Sequence, residues 1–381
     1  MTAPTATQHV AHAPSRCGHS RFGQTGCTRC MDVCPEGAIS SIAQSIALNP
    51  SACRGCESCV AACPSGAMRL VEPDDDPSPA LLALRGRLAS GGATVLVVHG
   101  AGYGEDLLNA VETEAGGLPD GTVRVALPRL GAFDIEALLL ALAWGAGAVR
   151  VVFGRGDRGL TAGLERTLEV ADAVVAGLGL GGGRFGIIEE DDPWVLGERL
   201  RAVTIVPAPP SAGMDGDVPF RAWPRAALFQ TVDRLRRHGT EATEAVALPP
   251  GAPFGAVEVD AARCTLCYGC ARACPTGALL TSSGTPRLGF VERLCIQCGL
   301  CRATCPERAV SFVPRLALDA SAAEPRVLKE DEVLACLRCG APVGPRSMVE
   351  KMESMLAGHP NFSAPGATDA LRRCERCRGE P

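Results

Sequence analysis

Cys264-Thr-Leu-Cys267-Tyr-Gly-Cys270-Ala-Arg-Ala-Cys274-Pro and Cys295-Ile-Gln-Cys298-Gly-Leu-Cys301-Arg-Ala-Thr-Cys305-Pro decide how this chain is read. Each run spaces its cysteines x2, x2, x3 and ends on proline. Three cysteines on so tight a loop wrap three irons of a cubane, while the fourth, held one helical turn later and stopped by proline, points at the neighbouring cluster. The spacing therefore predicts one 4Fe-4S cluster on Cys264, Cys267, Cys270 and Cys305, and a second on Cys295, Cys298, Cys301 and Cys274. A zinc site or free thiols fit this doubled spacing poorly. The stretch offers few large apolar side chains, so the clusters must serve as much of its core.

Outward from these runs, one phrase recurs four times: Cys34-Pro-Glu-Gly-Ala-Ile, Cys63-Pro-Ser-Gly-Ala-Met, Cys274-Pro-Thr-Gly-Ala-Leu and Cys305-Pro-Glu-Arg-Ala-Val. Two pairs of like units thus bracket the chain, giving dicluster modules at residues 17–72 and 256–314. Strand-and-turn segments, Ile42–Pro50 and Leu279–Val291, separate the members of each pair. In the first module Cys53-x2-Cys56-x2-Cys59-x3-Cys63-Pro is regular, but its partner reads Cys17-x9-Cys27-x2-Cys30-x3-Cys34-Pro, seven residues longer after the first cysteine. The crossed assignment puts Cys53, Cys56, Cys59 and Cys34 on one cluster and Cys17, Cys27, Cys30 and Cys63 on the other. Gly18, Gly23 and Gly26 let the insertion fold back and bring Cys17 in. The alternatives at this corner are His19, whose imidazole would raise the potential, or a three-iron cluster with an open corner. Otherwise His19 is a solvated loop residue. Asp32, Glu36 and Glu57 stand against four arginines in the first module, and four acids against six arginines in the second. Side chains so balanced partly offset cluster charge, and low but not extreme potentials are expected.

Of the 20 cysteines in 381 residues, eight lie between Cys17 and Cys63, twelve between Cys264 and Cys377, and none in residues 64–263. The last four form two knuckles, Cys336-x2-Cys339 and Cys374-x2-Cys377, for which tetrahedral zinc is the default occupant. Iron or unmetallated thiols are the alternatives, because the gap of 34 residues exceeds the usual zinc-ribbon spacing. Met348, Met352 and Met355 follow helical spacing and are expected to form an apolar helix face rather than a thioether metal site. A net charge of −5, from 37 basic and 42 acidic residues, gives no nucleic-acid or membrane-surface signature. The N-terminus carries no export signal, and the longest uncharged apolar run, the 13 residues Ala137–Val149, is too short to span a bilayer and reads as a buried helix. A cytoplasmic location is expected, where clustered cysteines hold metals rather than form disulfides.

After a Pro/Asp linker at 73–80, apolar β-branched runs (Ala93–His99, Thr122–Leu127, Ala148–Phe153, Phe185–Glu189) alternate with helical stretches (Asp106–Ala115, Asp134–Trp144, Leu160–Leu178). That alternation predicts an α/β domain with a parallel sheet at 81–206. A Pro-rich connector with one helix, Ala226–His238, fills 207–255, and the four-cysteine segment occupies 330–381. The fold class is therefore two α+β ferredoxin-like dicluster modules flanking a central α/β parallel-sheet layer domain, with a small C-terminal knuckle. Gly154-Arg-Gly-Asp-Arg-Gly159 formally matches a dinucleotide fingerprint but follows the third strand. Gly100-Ala-Gly-Tyr-Gly104 follows the first, but Glu105 and Asp106 occupy the helix start where a phosphate would sit. A scaffold or docking role is expected for this domain, since no Ser/His/Asp or Cys/His set lies within residues 64–263.

Residues 256–314 resemble the bacterial two-cluster 4Fe-4S ferredoxins through all eight ligands. The stretch Cys17-Gly-His-Ser-Arg-Phe-Gly-Gln-Thr-Gly-Cys27-Thr-Arg-Cys30-Met-Asp-Val-Cys34 resembles the N-terminal module of polyferredoxins associated with formate dehydrogenase. Pro128-Arg-Leu-Gly-Ala-Phe-Asp134 with Glu136–Val149 is similar to the iron-sulfur delta subunit of methyl-viologen-reducing hydrogenases, although this domain lacks cluster cysteines. These resemblances imply an electron connector holding four 4Fe-4S clusters, with one zinc in addition, that passes single electrons between a donor and an acceptor of the formate dehydrogenase or hydrogenase type. Two other readings are a flavin- or nucleotide-binding oxidoreductase subunit, which a bound chromophore would reveal, and an accessory protein for cofactor maturation, which complexes with an apo-enzyme would reveal.

Overall fold

The computed structural model describes residues 9–19, 23–71, 88, 95–154, 161–207, 224–241, 243–282, 284–362 and 366–378. The N-terminal module comprises β1 (Val10–His12), α1 (Arg29–Asp32), β2 (Ile39–Ile42), β3 (Ser45–Leu48), α2 (Ser58–Ala61) and β4 (Met68–Leu70). It starts ahead of Cys17, because β1 pairs antiparallel with β4, Val10 opposite Leu70. The β2–β3 hairpin turns through Ala43 and Gln44, with φ of 48° and 63°. Two successive left-handed residues make the tight turn whose twist suits a two-residue hairpin.

The central domain runs β5 (Val95–Gly100), α3 (Tyr103–Glu114), β6 (Thr122–Leu127), α4 (Ile135–Ala143), β7 (Ala148–Phe153), α5 (Thr161–Gly177), β8 (Phe185–Glu189) and α6 (Pro193–Arg201). Its four strands are parallel in the order β6-β5-β7-β8. Val95, Leu96, Val97 and Val98 are all buried, as expected of an inner parallel strand covered by helices on both faces. Asp134 caps α4 by accepting from the Ala137 N–H at 2.9 Å, and Asp192 caps α6 ahead of Pro193. The run Ala137–Val149, expected as one buried helix, is divided. Helix α4 stops at Ala143, Gly145 turns the chain at φ 111°, and Ala148 opens β7. Only glycine adopts that angle without strain.

Arg184 holds the bottom of this sheet. It is 2% exposed, and its guanidinium donates to the carbonyls of Leu180, Gly147 (2.9 Å), Val206 (3.3 Å) and Pro207 (3.1 Å). Arg184→Leu strands these carbonyls and is expected to destabilise the domain by about 3 kcal/mol. Thermal unfolding followed by circular dichroism checks this, and a loss under about 0.5 kcal/mol would refute it.

The described part of the stretch expected as a connector joins the core instead. Helix α7 (Pro224–Arg236) buries Leu228, Phe229, Val232 and Leu235 in the cluster that holds Leu138 and Leu142, and strand β9 (Ala245–Ala247) adds Val246. The C-terminal module then follows with β10 (Gly255–Val259), α8 (Gly269–Ala273), β11 (Leu279–Thr281), β12 (Arg287–Phe290), α9 (Leu300–Thr304), β13 (Val310–Ala317) and β14 (Arg326–Glu330). Its sheets are ordered β10-β13-β9 and β11-β12-β14, so β9 and β14 extend the ferredoxin pattern on either side. Leu316 and Leu318 belong to the central apolar cluster, which makes that core continuous with the module.

Last come β15 (Val333–Ala335), β16 (Pro342–Pro345), α10 (Arg346–Leu356) and α11 (Glu375–Arg378). The methionine face expected on α10 is not buried: Val349 is the buried residue, while Met352 and Met355 are 37% and 70% exposed. A helix packed mainly on a short hairpin and a loop has too little covering surface to bury a full stripe. No helix among the described residues is long and apolar enough to cross a membrane.

Candidate metal centres

Backbone conformation shapes the regular cysteine loops. Gly55 and Glu57, Leu266 and Tyr268, and Gln297 and Gly299 all have positive φ, from 50° to 86°. Each pair brackets the middle cysteine of its x2-x2 run. A left-handed residue on both sides curls the loop so that three thiols face one point, a strain of about 1–2 kcal/mol at each non-glycine position that the surrounding contacts must hold. The turn after each fourth cysteine repeats the device at Gly37, Gly66, Gly277 and, in the unit without glycine, Arg308 at φ 51°.

The structure brings the cysteines together in fours. Burial pushes the Cys30 thiol up to about 12, and its thiol neighbours Cys27, Cys63 and Cys17 push the same way. Cys59 is raised by burial and by Cys56, Cys53 and Cys34, with Cys30 of the adjoining set also pushing it up. Cys270 is pushed up to about 12 by burial, with Cys264, Cys267 and Cys305 around it. Cys301, raised likewise, faces Cys298, Cys295 and Cys274. Thiols in such apolar surroundings are neutral at pH 7, so a metal must displace their protons on binding. Cys264, Cys267, Cys270 and Cys305 line one hollow, and Cys274, Cys295, Cys298 and Cys301 line another. Cys34, Cys53, Cys56 and Cys59 share a third.

Donors surround the sulfurs. Backbone N–H groups donate to Cys34 Sγ from Ala38 (3.3 Å), to Cys53 Sγ from Gly55 (3.4 Å), to Cys63 Sγ from Met68 (3.4 Å) and to Cys305 Sγ from Ala309 (3.4 Å). The Gln297 side chain donates to Cys295 Sγ at 3.3 Å. Four converging sulfurs with N–H donors on them suit a thiolate-ligated iron-sulfur cluster, because each donor stabilises negative charge on sulfur.

At the irregular corner, Cys17 is buried and its sulfur accepts from the His19 N–H at 3.3 Å. His19, read from the sequence as a solvated residue or a substitute ligand, is neither. It is 1% exposed, with Nδ1 donating to the Cys27 carbonyl at 2.9 Å and Nε2 against Ser41 Oγ at 2.8 Å. Both ring nitrogens are engaged, so the imidazole pins the insertion rather than facing a metal.

Cys336, Cys339, Cys374 and Cys377 bring their sulfurs within 4.8 Å of one another, Cys339 and Cys374 to 3.6 Å. Tetrahedral thiolates about 2.3 Å from one ion stand about 3.8 Å apart, whereas a cubane spreads its ligands wider. A hydrogen bond from the Cys374 backbone draws the Cys336 thiol down to about 6, poising it to ligate.

Sequence reasoning missed the arginines that dock the first module. Arg129, in the loop after β6, donates to the Gly55 carbonyl at 2.8 Å and pairs with Glu57 at 3.2 Å, whose side chain is 1% exposed. A Cβ on Gly131 would meet the Cys56 carbonyl and Ser58, so this loop lies directly on the cysteine loop. The only available signal was an arginine preceding Leu-Gly-Ala, which says nothing about its partner. Arg129→Ala removes the cation from a buried carboxylate and is expected to cost about 3 kcal/mol, with most recovered in Arg129→Leu/Glu57→Leu. Denaturant unfolding of the full chain checks both. At the glycine loops, the Tyr103 ring lies against Gly154 and its hydroxyl donates to Asp191 Oδ1 at 3.1 Å. The rest of the fingerprint, residues 155–159, is outside the described residues.

Three family models match the chain: a 4Fe-4S dicluster domain at residues 25–67, and two 4Fe-4S binding domains at 256–279 and 293–308. No curated protein matches it. Ferredoxin-type 4Fe-4S domains at both ends, around a parallel-sheet domain, give this chain the make-up of a polyferredoxin-like electron-transfer protein.

Proposed function

We propose that the chain relays single electrons between cytoplasmic oxidoreductases through four 4Fe-4S clusters. The four groups of four converging thiols are the observation that supports this most directly. The ligand sets would be Cys34/Cys53/Cys56/Cys59, Cys17/Cys27/Cys30/Cys63, Cys274/Cys295/Cys298/Cys301 and Cys264/Cys267/Cys270/Cys305. Each cluster, when bound, supplies a centre that takes up and releases one electron. The chain's own part is to bury the thiols, donate N–H groups to them and keep water away. The close-set sulfurs of Cys336, Cys339, Cys374 and Cys377 favour a single structural zinc. The central domain would dock the first module through Arg129 and Glu57. Formate dehydrogenase or a hydrogenase complex is the first candidate partner, on the strength of the sequence resemblances.

Elemental analysis of anaerobically purified protein should find about sixteen irons and about one zinc per chain. Electron paramagnetic resonance during reduction should show reversible 4Fe-4S signals. About eight irons or fewer, without reducible signals, would overturn the reading.

A further inference from the structure

Gly18 and Gly26, near the two ends of the stretch that sets the first cysteine run apart, lie against the other module. A Cβ on Gly18 would sit 2.7 Å from Cys298 Cβ, 3.4 Å from Cys298 Sγ and 3.5 Å from Cys27 Cβ. A Cβ on Gly26 would collide with the Gly18 carbonyl and approach Leu300 at 2.8 Å. Neither glycine needs a left-handed φ, so what they supply is thinness. The backbone at Gly18 and Gly26 can thereby press onto the Cys295–Cys301 loop.

Arg29, two residues after Cys27, closes the same seam. Its Nη1 donates to the Ile296 carbonyl at 3.1 Å and lies 3.7 Å from Cys27 Sγ. Its Nη2 donates to the carbonyls of Gly251 (3.2 Å), Ala252 (3.2 Å) and Gln297 (3.3 Å). One guanidinium thus joins a cysteine loop of the first module, a cysteine loop of the second and the segment before β10.

We propose that Gly18, Gly26 and Arg29 form a crossing at which an electron passes directly between the two ferredoxin modules, with Cys27 and Cys298 on its facing sides. The inference rests on the four-cluster reading above. One electron leaves the donor site, which is oxidised, and enters the acceptor site, which is reduced by the same count; no bond forms or breaks and no proton moves. Within each module the two sites already adjoin, through Cys30 and Cys59 in the first and Cys270 and Cys301 in the second. Cys27 in turn bears on Cys298 across the seam. The four sites then make one line: Cys34/Cys53/Cys56/Cys59, Cys17/Cys27/Cys30/Cys63, Cys274/Cys295/Cys298/Cys301, Cys264/Cys267/Cys270/Cys305. Arg29 is a positioning residue, holding the loops together and placing positive charge beside the crossing.

The test uses the full-length holoprotein carrying Cys53→Ala, Cys56→Ala, Cys264→Ala and Cys267→Ala, which takes two ligands from each outer site so that neither holds a cluster and leaves one site per module. Fully reduced, it should show spin–spin interaction between the remaining sites. Adding Gly18→Val should abolish that interaction with iron content unchanged. Arg29→Gln should lower the midpoint potentials of both remaining signals, and Arg29→Lys should restore them in part. Two independent signals in the starting variant, or potentials untouched by Arg29→Gln, would overturn the crossing. Hydrogen exchange of otherwise wild-type holoprotein supplies a readout independent of the variant sites: Gly18→Val should speed exchange in residues 295–301, and unchanged exchange there would also overturn the proposal. Wild-type iron content judges the four-cluster reading separately, so the two failures are distinguishable.

Discussion

Stripped of iron under anaerobic conditions, residues 9–71 are expected to lose their amide protection by about a thousandfold or more, while β5–β8 keep theirs. The buried apolar cluster of the first module is Val10, Cys30, Ile39, Cys59 and Met68. Two of these five are proposed ligands. The remaining three side chains, with partly buried neighbours such as Ile46 and Leu48, make too small an apolar core to order a module of this size. Hydrogen bonds do not bridge such a deficit, so metal ligation must supply it. The second module is similar, with Cys270, Cys295 and Cys301 among its buried residues, but Leu316 and Leu318 tie it to the central core. Its unfolding should therefore be partial, sparing β13. The central domain has its own large aliphatic core and no cysteine. Hydrogen exchange with mass spectrometry, before and after chelation with oxidation, reads all three regions at once. Retained protection at residues 39–48 and 68–70 in the iron-free chain would refute the expectation.

Replacing Cys305 with alanine should damage the loop at Cys264–Cys270, not its own neighbour in sequence. Cys305 follows the Cys295–Cys301 run, but its sulfur shares a hollow with Cys264, Cys267 and Cys270. Cys274 conversely shares one with Cys295, Cys298 and Cys301. Cys305→Ala is therefore expected to lower iron by about one to four atoms per chain, the smaller loss if a three-iron cluster persists. Exchange should quicken across 264–270 and stay unchanged across 295–301. Cys274→Ala should give the mirror result. Damage confined to 295–301 in Cys305→Ala would show that the ligands are not crossed.

Much of the architecture was legible because it is written in local periodicity. Thr122–Leu127, Ala148–Phe153 and Phe185–Glu189 emerge as strands with the bounds read from their β-branched runs. Val123, Val125 and Leu127 are the buried face of β6, and five of the six residues of β7 are buried, so runs of apolar, β-branched residues mark these strands. Within the run Ala137–Val149, uniform hydrophobicity marks burial but not conformation: read as a whole it suggests one helix, whereas the alternation of Asp134–Trp144 and Ala148–Phe153 already divides it where Gly145 turns the chain. The segment 207–255 reads as a connector because it is rich in proline around one amphipathic helix, yet α7 buries Leu228, Phe229, Val232 and Leu235. Sparse apolar residues on one helix face suffice when a ready-made core receives them.

At the metal centres the division is sharper. Sequence by itself grouped the cysteines by loop and offered each fourth cysteine to the neighbouring unit, because x2 and x3 spacings limit how far a short backbone can reach. It also located the odd corner at Cys17. Tertiary structure alone decided that His19 is held by Cys27 and Ser41, that Arg129 and Glu57 fasten the first module to the sheet domain, and that Gly18 and Arg29 press one ferredoxin module onto the other. The cysteine-free centre, which the sequence presents as a spacer or dock, leaves the modules in direct contact. The physical reason is range: a ligand spacing is set by bonds a few residues long, whereas contact between Arg29 and Ile296, 267 residues apart, depends on the packing of everything between them.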